Sequence, residues 1–116
     1  MTTPFGKAVR KMRIDKGVTM KDMADVMEVK SAYLSAVEMG RKRITDKYLE
    51  QVVSYFAGVD GVDVLPKLVD CSQPDMKVDL QGQSDDDREL MVAFARKFSD
   101  LSSDSKDVFR EQLGLM

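Results

Sequence analysis

The run Lys30-Ser31-Ala32-Tyr33, continued by Ser35 and Ala36, groups one long cation with small or hydroxyl-bearing side chains around Leu34 and Val37. Leu34 and Val37 lie three apart, the interval of a buried helix side, which leaves the others towards the front or outer side of one short helix. Small and polar side chains at the front of a projecting helix suit the major groove of DNA, where bulk would prevent approach. Just beyond, Arg41-Lys42-Arg43 sets three cations in a row at the helix end. Cations there complement the helix dipole, and the same charges are available to a phosphate backbone.

Other chemistry has little to work with. The chain has no histidine, which removes the commonest general base and most nucleophilic triads. Cys71 is alone, so there is no internal disulfide and no metal site built on cysteine and histidine. Asp85-Asp86-Asp87 would chelate Mg²⁺ poorly, because consecutive helical residues point to different sides. The remaining carboxylates fall at helix starts or exposed positions. An enzyme is not expected, nor a cofactor or a metal.

For the front of that helix to project, a partner helix must hold it. Thr19 with Asp22 three positions later reads as a capping box, and Met23, Ala24 and Met27 give the helix it opens one buried side. Val29 breaks the pattern and plugs the turn. Two helices joined by so short a turn cross steeply, and the second projects. Upstream, Pro4 to Lys16 is predicted helical, with Phe5, Val9 and Met12 facing the core and Gly17 ending it in the left-handed conformation. Downstream, Thr45 caps a fourth helix from Asp46 to about Ala57, whose Leu49, Val52, Val53 and Phe56 close over the first three. Tyr48 and Tyr55 extend that face or sit at its edge. Asp63 then reads as the cap of a short fifth helix, Val64 to about Cys71, with Pro66 in its first turn and Cys71 buried or half-buried.

After Ser72 the character changes. Met76, Val78 and Leu80 alternate with Lys77 and Asp79 in the period of a half-buried strand, yet nothing else in the chain reads as a partner strand. Such a segment lies against the head, stays irregular, or pairs with a second copy. Ser84 opens another helix, with three aspartates favourable at its start and an apolar stripe of Leu90, Met91, Phe94, Ala95 and Phe98. Ser102 or Ser103 caps a last helix carrying Val108, Phe109 and Leu113. Phe94, Phe98 and Phe109 are aromatic surface on helices too short to bury it alone, which marks an interface.

The chain's 116 residues suit one domain, or a small domain with an appendage. No run approaches the length of a membrane span, and the start of the chain lacks a signal peptide's apolar segment, so no membrane partner and a cytoplasmic location are expected. The net charge of −2 hides an asymmetry: residues 1–57 hold 11 Lys/Arg and 7 Asp/Glu, a net of +4, and residues 58–116 hold 7 and 13, a net of −6. A basic head with an acidic tail fits a nucleic-acid-binding module joined to something else. Nine methionines, several at core-facing sites, fill gaps but define a core poorly.

Gly17 to Gly40 resembles the helix-turn-helix of the phage-repressor and Cro type, the Xre family. The matching marks are Ala24, Val29, Leu34, Val37 and the Glu38-x-Gly40 ending followed by basic residues, with Arg13, Gly17 and Thr19 upstream. The likeness covers roughly residues 5 to 57. Two positions depart from the pattern: Glu28 stands where the turn usually has glycine, and Lys30 where a small hydroxyl caps the second helix. A left-handed non-glycine residue carries strain, so either the turn widens or Ser31 takes over as cap.

The resemblance implies an all-α protein with a lambda-repressor-like five-helix DNA-binding domain at 1–72. Residues 73–116 would be a helical extension for dimerisation, with a short strand allowed for near 76–80. It further implies a sequence-specific transcriptional regulator, a repressor, whose recognition helix runs over about 31–39. By resemblance, base reading falls on Lys30, Ser31, Ala32 and Ala36, with Tyr33 and Ser35 alongside. Lys30 could donate to guanine O6 and N7, and Ala32 or Ala36 could meet a thymine methyl. Phosphate binding falls on Arg10, on Thr19 and the amides of Met20 and Lys21, and on Arg41, Lys42 and Arg43. Arg13 and Glu38 form a structural ion pair. The expected partners are a palindromic DNA operator, a second copy of the chain through Met76, Val78, Leu80, Phe94, Phe98 and Phe109, and a protein through the acidic tail. The host would be a bacterial cell or one infected by phage. The competing reading is a protein-interaction adaptor, such as an antitoxin or antirepressor, that keeps the fold. Arg41-Lys42-Arg43 with Lys30 tells against it, since an adaptor has no need of cations there.

Overall fold

A computed structural model describes all of residues 1–116. The chain forms six α-helices, α1 (Pro4–Lys16), α2 (Met20–Met27), α3 (Ser31–Glu38), α4 (Asp46–Tyr55), α5 (Asp85–Lys97) and α6 (Ser103–Gln112), with short 3-10 segments between, and no strand. It divides into two compact units, Met1–Lys77 and Val78–Met116.

In the first unit α1, α2 and α4 each begin where a local donor problem is solved. The Thr3 hydroxyl accepts from Gly6 N at 3.2 Å, and Pro4 sits where no amide is needed. The buried Phe5 amide of that first turn, which has no intrahelical acceptor, is satisfied from far along the chain, by Ser72 Oγ at 2.9 Å. Thr19 and Asp22 form the reciprocal capping box of α2, and Thr45 accepts from Tyr48 N at the start of α4. The buried faces then meet in one core of Phe5, Val9, Met12, Met23, Ala24, Met27, Leu34, Val37, Ile44, Tyr48, Val52, Phe56 and Leu65. On α4, Tyr48 is fully inside and Leu49 only half-buried, because the Tyr48 ring fills the space beside Phe5 and Tyr33, at centroid distances of 6.4 and 5.7 Å.

The approach of α1 to α3 is unusually close. A Cβ on Gly6 would fall 2.3 Å from Glu38 O. The missing side chain lets Thr3 N reach that carbonyl at 3.0 Å and the Thr3 hydroxyl reach it at 3.1 Å.

Three expectations need correcting. The fifth helix is not α-helical: Val62–Leu68 and Asp70–Ser72 are 3-10 segments, Gly61 in the left-handed conformation precedes the first, and Asp63 makes no capping bond. Pro66 inside it lacks an N–H and crowds the carbonyl four residues back, which a tighter winding relieves. Cys71 is exposed, its thiol near Leu68 O at 3.4 Å, and the adjacent Ser72 is the residue turned inward. Residues 76–80 form no strand; with no second backbone to pair, the alternation there yields an irregular segment.

In the second unit, Ser84 and Ser102 cap α5 and α6 by accepting from Asp87 N and Ser105 N, each at 3.1 Å. The Phe94 ring meets Phe98 at 5.7 Å and Phe109 edge-on at 4.9 Å. No side chain of α5 or α6 is buried.

Candidate nucleic-acid interface

The turn between α2 and α3 decides how α3 is presented. Glu28 itself takes the left-handed conformation, at φ 58° and ψ 43°, and Val29 N closes the turn on Ala24 O at 3.0 Å. Neither relief expected at this turn is used: Ser31 is the first helical residue, and the cap is Lys30, whose side chain makes no capping bond. A non-glycine residue held this way costs about 1–3 kcal/mol, and the plug of half-buried Val29 against the core holds it in place. Helix α3 ends at Glu38, one residue short of expectation.

The back of α3 is tied down by charge. Arg13 and Glu38 are 6 % and 2 % exposed. They pair through two parallel bonds, Nη1 to Oε2 at 2.7 Å and Nη2 to Oε1 at 2.8 Å. Arg13 Nη1 also lies 3.5 Å from Met23 Sδ on α2, so one guanidinium joins α1, α2 and α3.

Of the residues expected to read bases, Lys30, Ala32 and Ser35 are exposed, while Ser31, Tyr33 and Ala36 are half-buried. Tyr33 also turns its ring edge-on to Tyr48, so part of it serves the core. These six share one short helix and its cap.

The phosphate candidates surround it in sequence. Arg41, Lys42 and Arg43 are exposed in the loop that follows α3, whose path is set by Arg41 N and Lys42 N turning back to Ala36 O at 2.9 and 3.3 Å. Arg43 is engaged by the Asp75 carboxylate. At the start of α2, Thr19 N donates to Asp22 Oδ2 at 2.9 Å while its hydroxyl accepts from Asp22 N at 3.0 Å. Hydrogen bonding to the carboxyl, from the Thr19 amide first and the Thr19 side chain second, holds Asp22 below its ordinary 3.8. The amides of Met20 and Lys21 open the helix, where no intrahelical partner exists. The Lys21 ammonium pairs with Asp25 at 3.2 Å, an exposed contact of little weight. Arg10 is exposed, with Nη1 3.4 Å from Thr2 Oγ1.

The dimerisation candidates gather only in part. Val78, Leu80, Phe94 and Phe109 line one cleft of about 530 Å³ in the second unit, together with Leu90, Met91 and Leu113. Phe98, just past the end of α5, is half exposed with its ring against Phe94, and Met76, which belongs to the first unit, is 81 % exposed.

Several contributors carried little or no local signal. Ile44 is a single apolar residue among polar ones, yet is buried. Ser72 and Gln73 meet partners 67 and 29 positions away, and Gly6 serves through a close approach. Thr3, which no expectation named, did carry a signal as a threonine directly before proline.

The Helix-turn-helix family model matches residues 9–61. No curated protein and no solved structure matches the chain. The matched span contains the buried side of α1 from Val9, the capped α2, the tight turn, α3, the basic loop and α4. Residues 9–61 thus form an Xre-type helix-turn-helix segment, and this match supports a DNA-binding regulator.

Proposed function

We propose that the protein is a sequence-specific repressor that acts by occupying DNA as a two-fold dimer, with α3 in the major groove. One observation carries the reading. The front of α3, exposed or half-buried and made of small side chains apart from Tyr33, follows the exposed cap Lys30, is fixed from behind by the buried Arg13–Glu38 pair and lies next in sequence to an exposed run of three cations. Lys30, Ser31, Ala32 and Ala36 read base edges, with Tyr33 and Ser35 beside them. Arg41, Lys42 and Arg43, with Arg10, Thr19 and the Met20 and Lys21 amides, place the protein on the phosphates. Occupancy alone suffices to block transcription, so repression needs no further surface. The site of action is wherever the DNA is: the cytoplasm of a bacterial cell or of a phage-infected host.

One helix-turn-helix spans few base pairs, so a palindromic operator and a second copy complete the reading. The tail supplies the copy. On α5, Asp85, Asp86 and Asp87 open the helix and Arg96 and Lys97 close it. Two α5 helices laid antiparallel set the aspartates of each beside the cations of the other, whereas a parallel pair would stack like charges.

Selecting bound fragments from random DNA with the purified protein gives the operator, and two sets of variants then test the roles. Arg41→Ala or Lys42→Ala weakens specific and nonspecific duplexes alike and lowers the log–log salt slope by about 0.9 per lost phosphate contact. Changes at Lys30, Ser31 or Ala32 instead shift the preferred base at one or two positions, by about 1–3 kcal/mol each. Binding indifferent to both sets would sink this reading and leave the adaptor, with the acidic tail as its protein-binding part.

A further inference from the structure

We propose that Gln73 and Asp75, at the end of the first unit, control the loop that presents Arg41, Lys42 and Arg43 to phosphate. Gln73 holds the loop's backbone in shape. Asp75 occupies Arg43 until DNA displaces it. The proposal rests on the reading of Arg43 as a phosphate contact and adds to it two residues that no part of the helix-turn-helix pattern includes.

Gln73 meets Ile44 at two points. Ile44 N donates to Gln73 Oε1 at 2.8 Å, and Gln73 Nε2 donates to Ile44 O at 2.9 Å. The side-chain amide thus satisfies both backbone groups of a residue that lies outside any helix, one position before the cap of α4. The Ile44 side chain is buried in the core, so the loop is held at that residue from both sides. Gln73 is itself placed by its neighbour. Ser72 is fully buried, with its hydroxyl accepting from Phe5 N at 2.9 Å and donating to Leu68 O at 2.7 Å. A continuous chain of bonds therefore runs from the first turn of α1 through Ser72 and Gln73 to the backbone immediately after Arg43. Fixing that backbone in advance removes an ordering cost from DNA binding.

Asp75 lies two residues further on, and its carboxylate accepts from Arg43 Nη1. Side chains of both are more than half exposed, 57 % for Arg43 and 78 % for Asp75. An exposed pair of this kind is weak and screened by salt, so a phosphate can replace the carboxylate. The carboxylate nevertheless competes for the same guanidinium, and binding to any duplex is weaker for it. The two residues therefore act with opposite sign.

The test uses the full-length protein, a short labelled duplex of random sequence, and fluorescence anisotropy over a series of KCl concentrations. Asp75→Asn is expected to tighten binding roughly twofold to fivefold at low salt, the range open to an exposed pair, and to converge on the parent at high salt. In an Arg43→Ala background the same change does nothing. Gln73→Ala and the similarly sized Gln73→Met are both expected to weaken binding roughly threefold to tenfold. Both also lower the salt slope, by up to about 0.9 for each phosphate contact that the loosened loop loses. A purely structural role would lower the melting temperature and leave the slope, measured well below melting, unchanged. If Asp75→Asn tightens binding equally in the Arg43→Ala background, general charge is responsible and the latch is overturned. If Arg43→Ala weakens binding while Asp75→Asn has no effect, the latch fails and the phosphate reading stands. If Arg43→Ala leaves affinity and slope unchanged, the phosphate reading of Arg43 fails and takes the proposal with it. Parent-like slope and affinity in both Gln73 variants overturn the clamp.

Discussion

Tyr48 is 2 % exposed, and its hydroxyl is buried with no hydrogen-bond partner. An unpaired buried hydroxyl costs about 1–3 kcal/mol, which here is set against a ring that fills the centre of the core. Burial first, and the nearby Glu38 carboxylate second, push the phenol well above its ordinary 10.0. Tyr48→Phe keeps the ring and removes the orphan, so it is expected to raise stability by about 1 kcal/mol at neutral pH. The pH dependence follows from the same shift. Above pH 10.0 the unfolded chain gives up a proton that the folded chain keeps, so stability falls as pH rises. Thermal melts of parent and variant at neutral and strongly alkaline pH check both points: the gap between them widens in alkali. A variant less stable than the parent at neutral pH would mean that the hydroxyl has a partner after all.

At the scale of the element, α3 depends on groups outside itself. Glu38→Ala leaves the Arg13 guanidinium buried without its bidentate partner, a loss on the order of 3–5 kcal/mol, against under about 1 kcal/mol for a surface pair. Melting within a couple of degrees of the parent would show that the pair does not fasten α3. How far the elements could be read from sequence follows from where their determinants lie. The capping box of Thr19 and Asp22, the stripe of Phe5, Val9 and Met12, and the serine caps of α5 and α6 are all local, within one or two turns, and were legible. The segment at 62–68 was misread because its apolar spacing fits an α-helix, while Pro66 acts on winding rather than on spacing. The alternation at 76–80 is a true pattern, but a strand needs a second backbone, which no local pattern supplies. The site divides the same way. The front of α3 and the cations of the loop stand out by residue type; the Ser72 and Gln73 bonds that hold the loop join residues far apart in sequence.

Over the whole molecule, the second unit is the part that does not stand by its own core. Residues 78–116 contain no buried side chain in either helix, and Leu90, Phe98, Val108 and Leu113 are about half exposed or more. A segment of fewer than about 40 residues seldom folds without oligomerisation or other support. We expect the full chain to sediment as a dimer and a chain ending at Lys77 as a monomer that keeps half-site binding but loses most of its affinity for a palindromic site. Reversing Asp86 and Asp87 to lysine, or Arg96 and Lys97 to glutamate, should each weaken self-association, and mixing the two variants should restore it as a heterodimer. A full-length protein that stays monomeric at micromolar concentration, free and on DNA, would rule out the tail as the dimer element. If the mixed variants do not associate, the antiparallel arrangement fails on its own.

The uneven fastening of α3 has a consequence for its motion. Behind, the Glu38 carboxylate holds Arg13 and the Glu38 carbonyl accepts from both Thr3 N and its hydroxyl. In front, no side chain caps the helix, and the amides of Ser31 and Ala32 have no intrahelical acceptor. Deuterium uptake should therefore step sharply within a single helix. Ser31 and Ala32 exchange at rates close to those of an open chain, whereas Leu34 to Glu38 exchange only when the whole unit opens. The end that we propose meets the bases would then be the end that fluctuates, and bound DNA would slow its uptake first.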